Sequence, residues 1–325
     1  MGYKHLKFPD GTVFLVTGAA GFIGSNLCEA ILNLGYKVRG LDNFSNGRRE
    51  NNDQLRQYDN LTFIEGDITD AETCLNACDG VDYVLNQAAW GSVPRSMKMP
   101  LVYNANNVTG TMNIFDAALK QGVKRVVYAS SSSVYGDSAV LPKVEGQEGR
   151  PISPYALTKK MDEEYADLYF RVFGLETVGL RYFNVFGRRQ DPHSTYAAVI
   201  PIFVKNLLND TPPVINGDGS QTRDFTYIEN VIEMNLKSCL APKEACGEAY
   251  NVAYGENTSL NQLYDKLCAL LGKDIKPAYG PSRAGDIPHS LANIDKARRL
   301  VGYVPDYDIN EGLELTIEWY KEFLK

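Results

Sequence analysis

Apolar and β-branched residues gather in two short runs near the start of the chain, Thr12 to Thr17 and Lys37 to Leu41. Between them, from Phe22 to Leu34, apolar positions recur at helical spacing, so the three segments read as a βαβ unit. The alternation continues. Leu61 to Glu65, Tyr83 to Gln87, Arg125 to Ser130, Thr177 to Tyr182 and Ala249 to Val252 read as further strands, with helices over 101–121 and 155–173 between them. Runs that are apolar on both faces and separated by helices predict an α/β fold, a doubly wound parallel sheet covered on both sides.

After Asn184 the pattern changes. A stretch punctuated by Pro and Gly, Val214 to Gly219, and helical patterns over 197–208, 260–271, 294–300 and 312–324, break the simple alternation. This predicts a smaller α/β lobe interleaved with the first unit. Residues 1–183 would form the larger domain, 184–325 mainly the smaller lobe, and a segment near 225–254 would return to the first sheet.

Composition narrows the possible partners. The 325 residues are 44% hydrophobic, enough for a large core, and the formal charge is -7. Such a balance argues against nucleic acid or an anionic membrane as partner, so an anionic ligand would need a local arginine cluster. No run approaches the roughly 18 apolar residues that span a bilayer, and the first ten residues lack the layout of a secretory signal. A cytoplasmic protein is expected. Cys28, Cys74, Cys78, Cys239, Cys246 and Cys268 are scattered and read as reduced thiols. Cys74 and Cys78 read as an inward helix face; with the three histidines far apart, no metal site is expected.

Chemistry enters with Thr17-Gly18-Ala19-Ala20-Gly21-Phe22-Ile23-Gly24, between the first strand and the first helix. Glycines there allow a tight turn and a close approach of backbone to a pyrophosphate at a helix N-terminus. Asp42, at the end of the second strand, is placed to accept hydrogen bonds from an adenosine ribose diol and to repel a 2′-phosphate, which favours NAD over NADP. Further on, Tyr155-Ala156-Leu157-Thr158-Lys159 opens a helix after Ser153-Pro154 and puts Tyr155 and Lys159 a turn apart on one face. A phenol ionises near pH 10, so a tyrosine base at pH 7 needs roughly 4 kcal/mol of local help, which a neighbouring ammonium has the sign to supply. Ser130-Ser131-Ser132-Ser133 follows the strand through Tyr128, at the carboxyl edge of the sheet.

The TGxxGxxG loop in this setting, with the serine run and the YxxxK spacing, resembles the extended short-chain dehydrogenase/reductase family over nearly the whole chain. The resemblance implies a Rossmann-type fold, NAD as cofactor, and Ser131, Tyr155 and Lys159 as catalytic triad. It implies that Asp67 and Ile68 flank the adenine, that Ala88 and Ala89 line the cofactor path, and that Phe22, Ile23, Asn43, Gln87, Asn107 and Tyr182 join Gly18, Gly21, Gly24, Asp42, Tyr155 and Lys159 around it. Read from residues alone, Asp67 could instead cap the next helix.

Within that family the segment Arg181-Tyr182-Phe183-Asn184 is similar to nucleotide-sugar epimerases, where the matching Asn meets the diphosphate. Arg223 and Arg283 resemble an arginine pair that clamps a UDP pyrophosphate, for which guanidinium forks are suited, and Asp286 resembles a uridine-ribose acceptor. Related 4,6-dehydratases carry an acid two places after the catalytic hydroxyl, whereas this chain has Ser133. That points to oxidation at C4 followed by re-reduction. Ser290 stands where galactose-type epimerases have a Tyr, and it leaves room for a C2 acetamido group. Ser92, Ser131, Ser132, Ser133, Tyr155 and Val199 complete the expected substrate contacts. The implied activity is 4-epimerisation of UDP-N-acetylglucosamine by a homodimer, with the matching uronic acid, or UDP-glucose with relaxed specificity, left as alternative substrates. A binding protein that kept the fold and lost the chemistry is a rival of another class. Trp90 departs from the smaller aliphatic residue expected ahead of the Gly91-Ser92-Val93-Pro94-Arg95-Ser96 loop.

Overall fold

The computed structural model describes residues 2–192, 198–281 and 288–323. Its centre is a parallel sheet of β1 (Val13–Thr17), β2 (Lys37–Asp42), β3 (Leu61–Glu65), β4 (Tyr83–Asn86), β5 (Arg125–Ser131), β6 (Glu176–Tyr182) and β7 (Glu248–Val252). The strand order is β7-β6-β5-β4-β1-β2-β3, with every neighbouring pair parallel. The chain runs outward from β1 through β2 to β3, then crosses back to lay β4 on the other side of β1. Crevices at such a reversal, outside the carboxyl ends of the strands, are where open α/β sheets hold ligands.

Strand alternation explains why both faces are apolar. Leu15, Val84 and Val126 turn to one face and pack with Ile114, Phe115 and Ala118; Phe14, Val16, Leu85 and Val127 turn to the other and pack with Leu27, Ile31 and Val231. Cys74 and Cys78 are buried in the first of these layers. The pair Thr226–Tyr227 lies beside Val185–Phe186, helix Ile228–Leu240 follows, and β7 closes the sheet next to β6. Outside the sheet, Val214–Asn216 pairs with Ala278–Gly280, and Thr222–Arg223 with Thr258–Ser259.

Among the described residues, three helices lack a sequence signal and a fourth, Ala71–Cys78, is marked only by its Cys74/Cys78 face, each for a physical reason. Arg49–Leu55 is polar except at its last residue. Ala71–Cys78 and Val93–Lys98 are short and are set by the capping side chains of Asp70 and Ser92. Ile228–Leu240 is buried almost all round, so no polar face marks its period. The segment expected as one helix over 101–121 is instead Pro100–Tyr103, a wider π turn Asn104–Thr109 and a helix Gly110–Lys120.

Candidate active site

The glycine loop is shaped by close backbone approach. Gly18 has φ +66°, and a Cβ there would stand 2.9 Å from the amide nitrogen of Ala88; one on Gly24 would stand 2.0 Å from the carbonyl oxygen of Gly18. Thr17 ties the neighbouring strand ends together, donating to Asn86 Oδ1 at 2.6 Å and accepting from the Ala88 amide at 3.1 Å. Gly21 caps the helix Phe22–Asn33 without a side chain. The first-turn amides of that helix, at the positive end of its dipole, therefore remain available to a phosphate. Asp42 is buried and accepts from the amides of Ala20 (2.9 Å) and Phe44 (2.7 Å). Burial raises its pKa against the pull of those amides. A carboxylate has about four acceptor sites, so the ribose diol can still be met.

Gly18, Gly21, Phe22, Ile23, Gly24 and Asp42 line a cavity of about 340 Å³ together with Asn43, Asp67, Ile68, Gln87, Ala88 and Ala89. Asp67 does not cap the following helix. It accepts from the amide and hydroxyl of Thr69 and from Asn43 Nδ2, while Asp70 makes the cap. Ser45, Asn46, Gly47, Trp90, Gly91 and Asn106 also line the cavity, and no motif in the sequence marks them for it. Their signal was positional, since they directly follow β2 and β4 or face those loops. Asn107 serves the site indirectly. Its amide accepts from the Trp90 N–H (2.8 Å) and donates to the Trp90 carbonyl and Thr158 Oγ1 (both 3.1 Å).

Helix Pro154–Leu168 carries the YxxxK pair. Ser153 caps it by accepting from the Ala156 amide at 3.1 Å, with Pro154 opening the first turn, so Tyr155 lies at the helix start and Lys159 one turn on. Lys159 is buried, and its ammonium donates to Ala129 O at 2.8 Å and to Asp162 Oδ2 at 3.1 Å. Ala129 lies in β5 two residues before Ser131, so the lysine is fixed to the strand that presents the serine. An ammonium has three N–H groups, and two bonds leave one for a ligand hydroxyl. Asp162 gave no sequence signal; burial pushes its carboxyl up to about 7 against the pull of Lys159. Beside it, Glu163 accepts from Ser130 Oγ (2.6 Å) and from two nitrogens of Arg181 (2.8 Å each), locking the helix onto β5 and β6. The Tyr155 ring meets Tyr103 edge-on at 6.1 Å, and the single O–H of the buried Tyr103 is shared between the carbonyls of Gly91 and Ser92. Ser92 itself has φ +83°, a left-handed conformation that this anchoring maintains.

A second cavity of about 530 Å³ opens beyond β6, and Asn184, Val199 and Arg223 are in its wall with Phe186, Ile215 and Phe225. Asn184 donates to Asp224 O at 3.0 Å, and Arg223 Nη1 to Thr222 O at 2.9 Å. The Ser290 amide donates to Thr222 O at 3.1 Å, which sets Ser290 beside the Arg223 strand, outside the wall of either cavity. Arg283 and Asp286 lie outside the described residues. Ser131, Ser132, Ser133, Tyr155 and Lys159 line neither cavity. They stand between them: β5 lies between β4, which leads to Gln87–Gly91, and β6, which leads to Asn184. Ser131 is in register with Tyr182, whose hydroxyl donates to Gln87 Oε1 (2.9 Å) and accepts from Asn235 (3.0 Å), so Tyr182 supports the cofactor wall from behind.

A glycine-loop cleft on a parallel sheet, with a second cleft beyond β6, is the framework of a nucleotide-binding α/β protein. The chain belongs to the NAD dependent epimerase/dehydratase family, whose profile matches residues 14–253, and its cofactor is NAD. Similarity to individual members runs the length of the chain. A UDP-glucose 4-epimerase of Mycolicibacterium smegmatis is 36% identical over 94% of this chain and 98% of its own. The solved structure of a UDP-N-acetylglucosamine 4-epimerase from Methanobrevibacter ruminantium, in complex with UDP-N-acetylmuramic acid, is 39% identical with a TM-score of 0.91, covering 96% and 99% of the two chains. A UDP-glucuronic acid 4-epimerase from Bacillus cereus, bound to UDP-glucuronic acid and NAD, is 33% identical with a TM-score of 0.87, covering 96% and 100%.

Proposed function

We propose that the protein is an NAD-dependent 4-epimerase that interconverts UDP-N-acetylglucosamine and UDP-N-acetylgalactosamine through a 4-keto sugar. The observation that carries this reading is the position of Ser131, Tyr155 and Lys159 between a dinucleotide cleft and a second cleft walled by Asn184 and Arg223. Tyr155, as phenolate, takes the C4 hydroxyl proton directly or through Ser131, and Lys159 offers its remaining N–H to the nicotinamide ribose. Bound NAD would supply the acceptor for the C4 hydride and the donor for its return. The UDP is held by Asn184, Arg223 and Arg283, with Asp286 on the uridine ribose, while the keto sugar turns over so that hydride re-enters on the opposite face. Tyr155 then gives its proton back to the C4 oxygen. Ser133 has no carboxyl with which to assist loss of water, which separates this arrangement from a dehydratase.

The acetamido preference rests on Ser290 and on the likeness to the Methanobrevibacter enzyme. A uronic acid substrate is the second reading, favoured by the likeness to the Bacillus enzyme. Incubating the protein with UDP-N-acetylglucosamine, its uronic acid and UDP-glucose, and following C4 inversion by NMR, decides among them. Inversion of none refutes the epimerase reading. Ser290→Tyr should impair the N-acetylated substrate more than UDP-glucose, and equal effects would remove Ser290 from specificity. We further propose a cytoplasmic homodimer. All six cysteines are free thiols, and Leu101, Leu157, Val172 and Phe173 leave apolar surface exposed on neighbouring helical segments.

A further inference from the structure

Because β1 lies between β2 and β4, the loops that follow those two strands stand on opposite sides of the cofactor cavity. Asn46 lines it from the β2 side and Trp90 from the β4 side. Arg95 joins the two across the opening. Its guanidinium stacks on the Trp90 ring, 3.8 Å from the centroid, and its Nη1 donates to Asn46 Oδ1 at 2.8 Å. The Trp90 platform is itself fixed, by the paired backbone bonds to Asn107 and by an edge-on contact with Tyr103 at 6.0 Å. We propose that Trp90, Arg95 and Asn46 form a latch over the dinucleotide that retains it from one turnover to the next.

The inference rests on NAD as cofactor and deepens the epimerase reading. A reaction that removes a hydride from C4 and restores it needs the same cofactor molecule through both halves. If reduced cofactor escapes, the 4-keto sugar is left without a reductant. A planar guanidinium on an indole, tied at its far end to an amide, resists opening without blocking the sugar side of the site. A small aliphatic residue at position 90 offers no such platform.

The test is the release rate of NAD from loaded protein diluted into a scavenging enzyme, with nucleotide content as readout. Arg95→Ala should release NAD about tenfold faster than the parent. Asn46→Ala should act similarly, and the double variant no more than either single one, because all three break the same contact. Arg95→Lys separates a latch from simple attraction to phosphate. It keeps the charge but loses the planar stack, so release should be as fast as from Arg95→Ala. Arg49→Ala removes an exposed cation that stacks on Phe44 from the β2 side, and should release at the parent rate. Parent-like release from Arg95→Ala, full retention by Arg95→Lys, or fast release from Arg49→Ala each overturns the latch. Equal melting temperatures of the cofactor-free proteins establish that the variants fold. A parent protein that holds NAD but inverts no sugar at C4 would refute the epimerase reading and leave the release measurement standing.

Discussion

Two glycines of one loop should fail in different ways when each is given a methyl group. At Gly24 the added Cβ would stand 2.0 Å from Gly18 O, 2.7 Å from Gly18 C and 3.1 Å from Ala19 Cα. Ordinary contact begins at 3.4 Å, so the carbonyl must retreat by about 1.4 Å, the difference between 3.4 and 2.0. That carbonyl accepts the 2.9 Å bond from the Gly21 amide that closes the turn. Over-packing of this kind costs about 1–3 kcal/mol, and the lost hydrogen bond about 1 kcal/mol more. Gly24→Ala should therefore lower the melting temperature of the cofactor-free protein by at least about 3 °C and abolish stoichiometric NAD. At Gly21 the nearest atom to an added Cβ is 3.1 Å away, and the backbone is already extended at φ -77°. Gly21→Ala should melt within about 2 °C of the parent while binding NAD less tightly, since its methyl group faces the cavity. Paired calorimetric melts and nucleotide content read both. Full NAD occupancy and an unchanged melt in Gly24→Ala would refute the argument that this close approach requires glycine.

Other expectations can be checked in the same preparations. Tyr155→Phe should lower turnover at least about a hundredfold while UDP binding measured by calorimetry persists; substantial residual turnover would remove Tyr155 as proton acceptor. The buried Asp162 carboxyl is raised from 3.8 to about 7, so the folded state holds its proton more tightly than the unfolded state does. Its contribution is therefore favourable at low pH and is lost as pH rises from about 4 to 7, by at most about 4 kcal/mol. Asp162→Asn should gain stability on the parent between pH 5 and 8 in urea titrations, and a difference that stays constant with pH would refute this. Leu101, 84% exposed, should turn the proposed dimer into a monomer on Leu101→Glu, read by light scattering; an unchanged mass would place any interface elsewhere.

The sheet was legible because strands buried on both faces write themselves as apolar runs, and each of the seven lies within a residue or so of its expected place. The cofactor loop was legible because glycines with a steric cause recur at fixed spacing. Legibility fell where a polar side chain acts on backbone rather than on ligand. Asn107 reads as a cofactor contact in sequence, yet its amide is committed to Trp90 and Thr158. Tyr182, expected around the cofactor, spends its hydroxyl on Gln87 Oε1 and Asn235. Both belong to the site through residues that do line it.

Lys159 and Asp162 show why burial decides what sequence cannot. On an exposed helix a Lys and an Asp three apart are a solvated pair worth a few tenths of a kcal/mol, and nothing in the letters distinguishes this pair from that case. Here helix Pro154–Leu168 lies against β5, and both side chains are almost wholly enclosed, at 3% and 1% exposure. Enclosure turns the pair into a device with two consequences. The carboxylate and the Ala129 carbonyl fix the ammonium in direction, and the same carboxylate offsets part of the positive potential that the ammonium would project toward Tyr155. The lysine we propose to orient a ribose and assist a neighbouring phenol is thus held by a partner whose own proton is poised near neutrality.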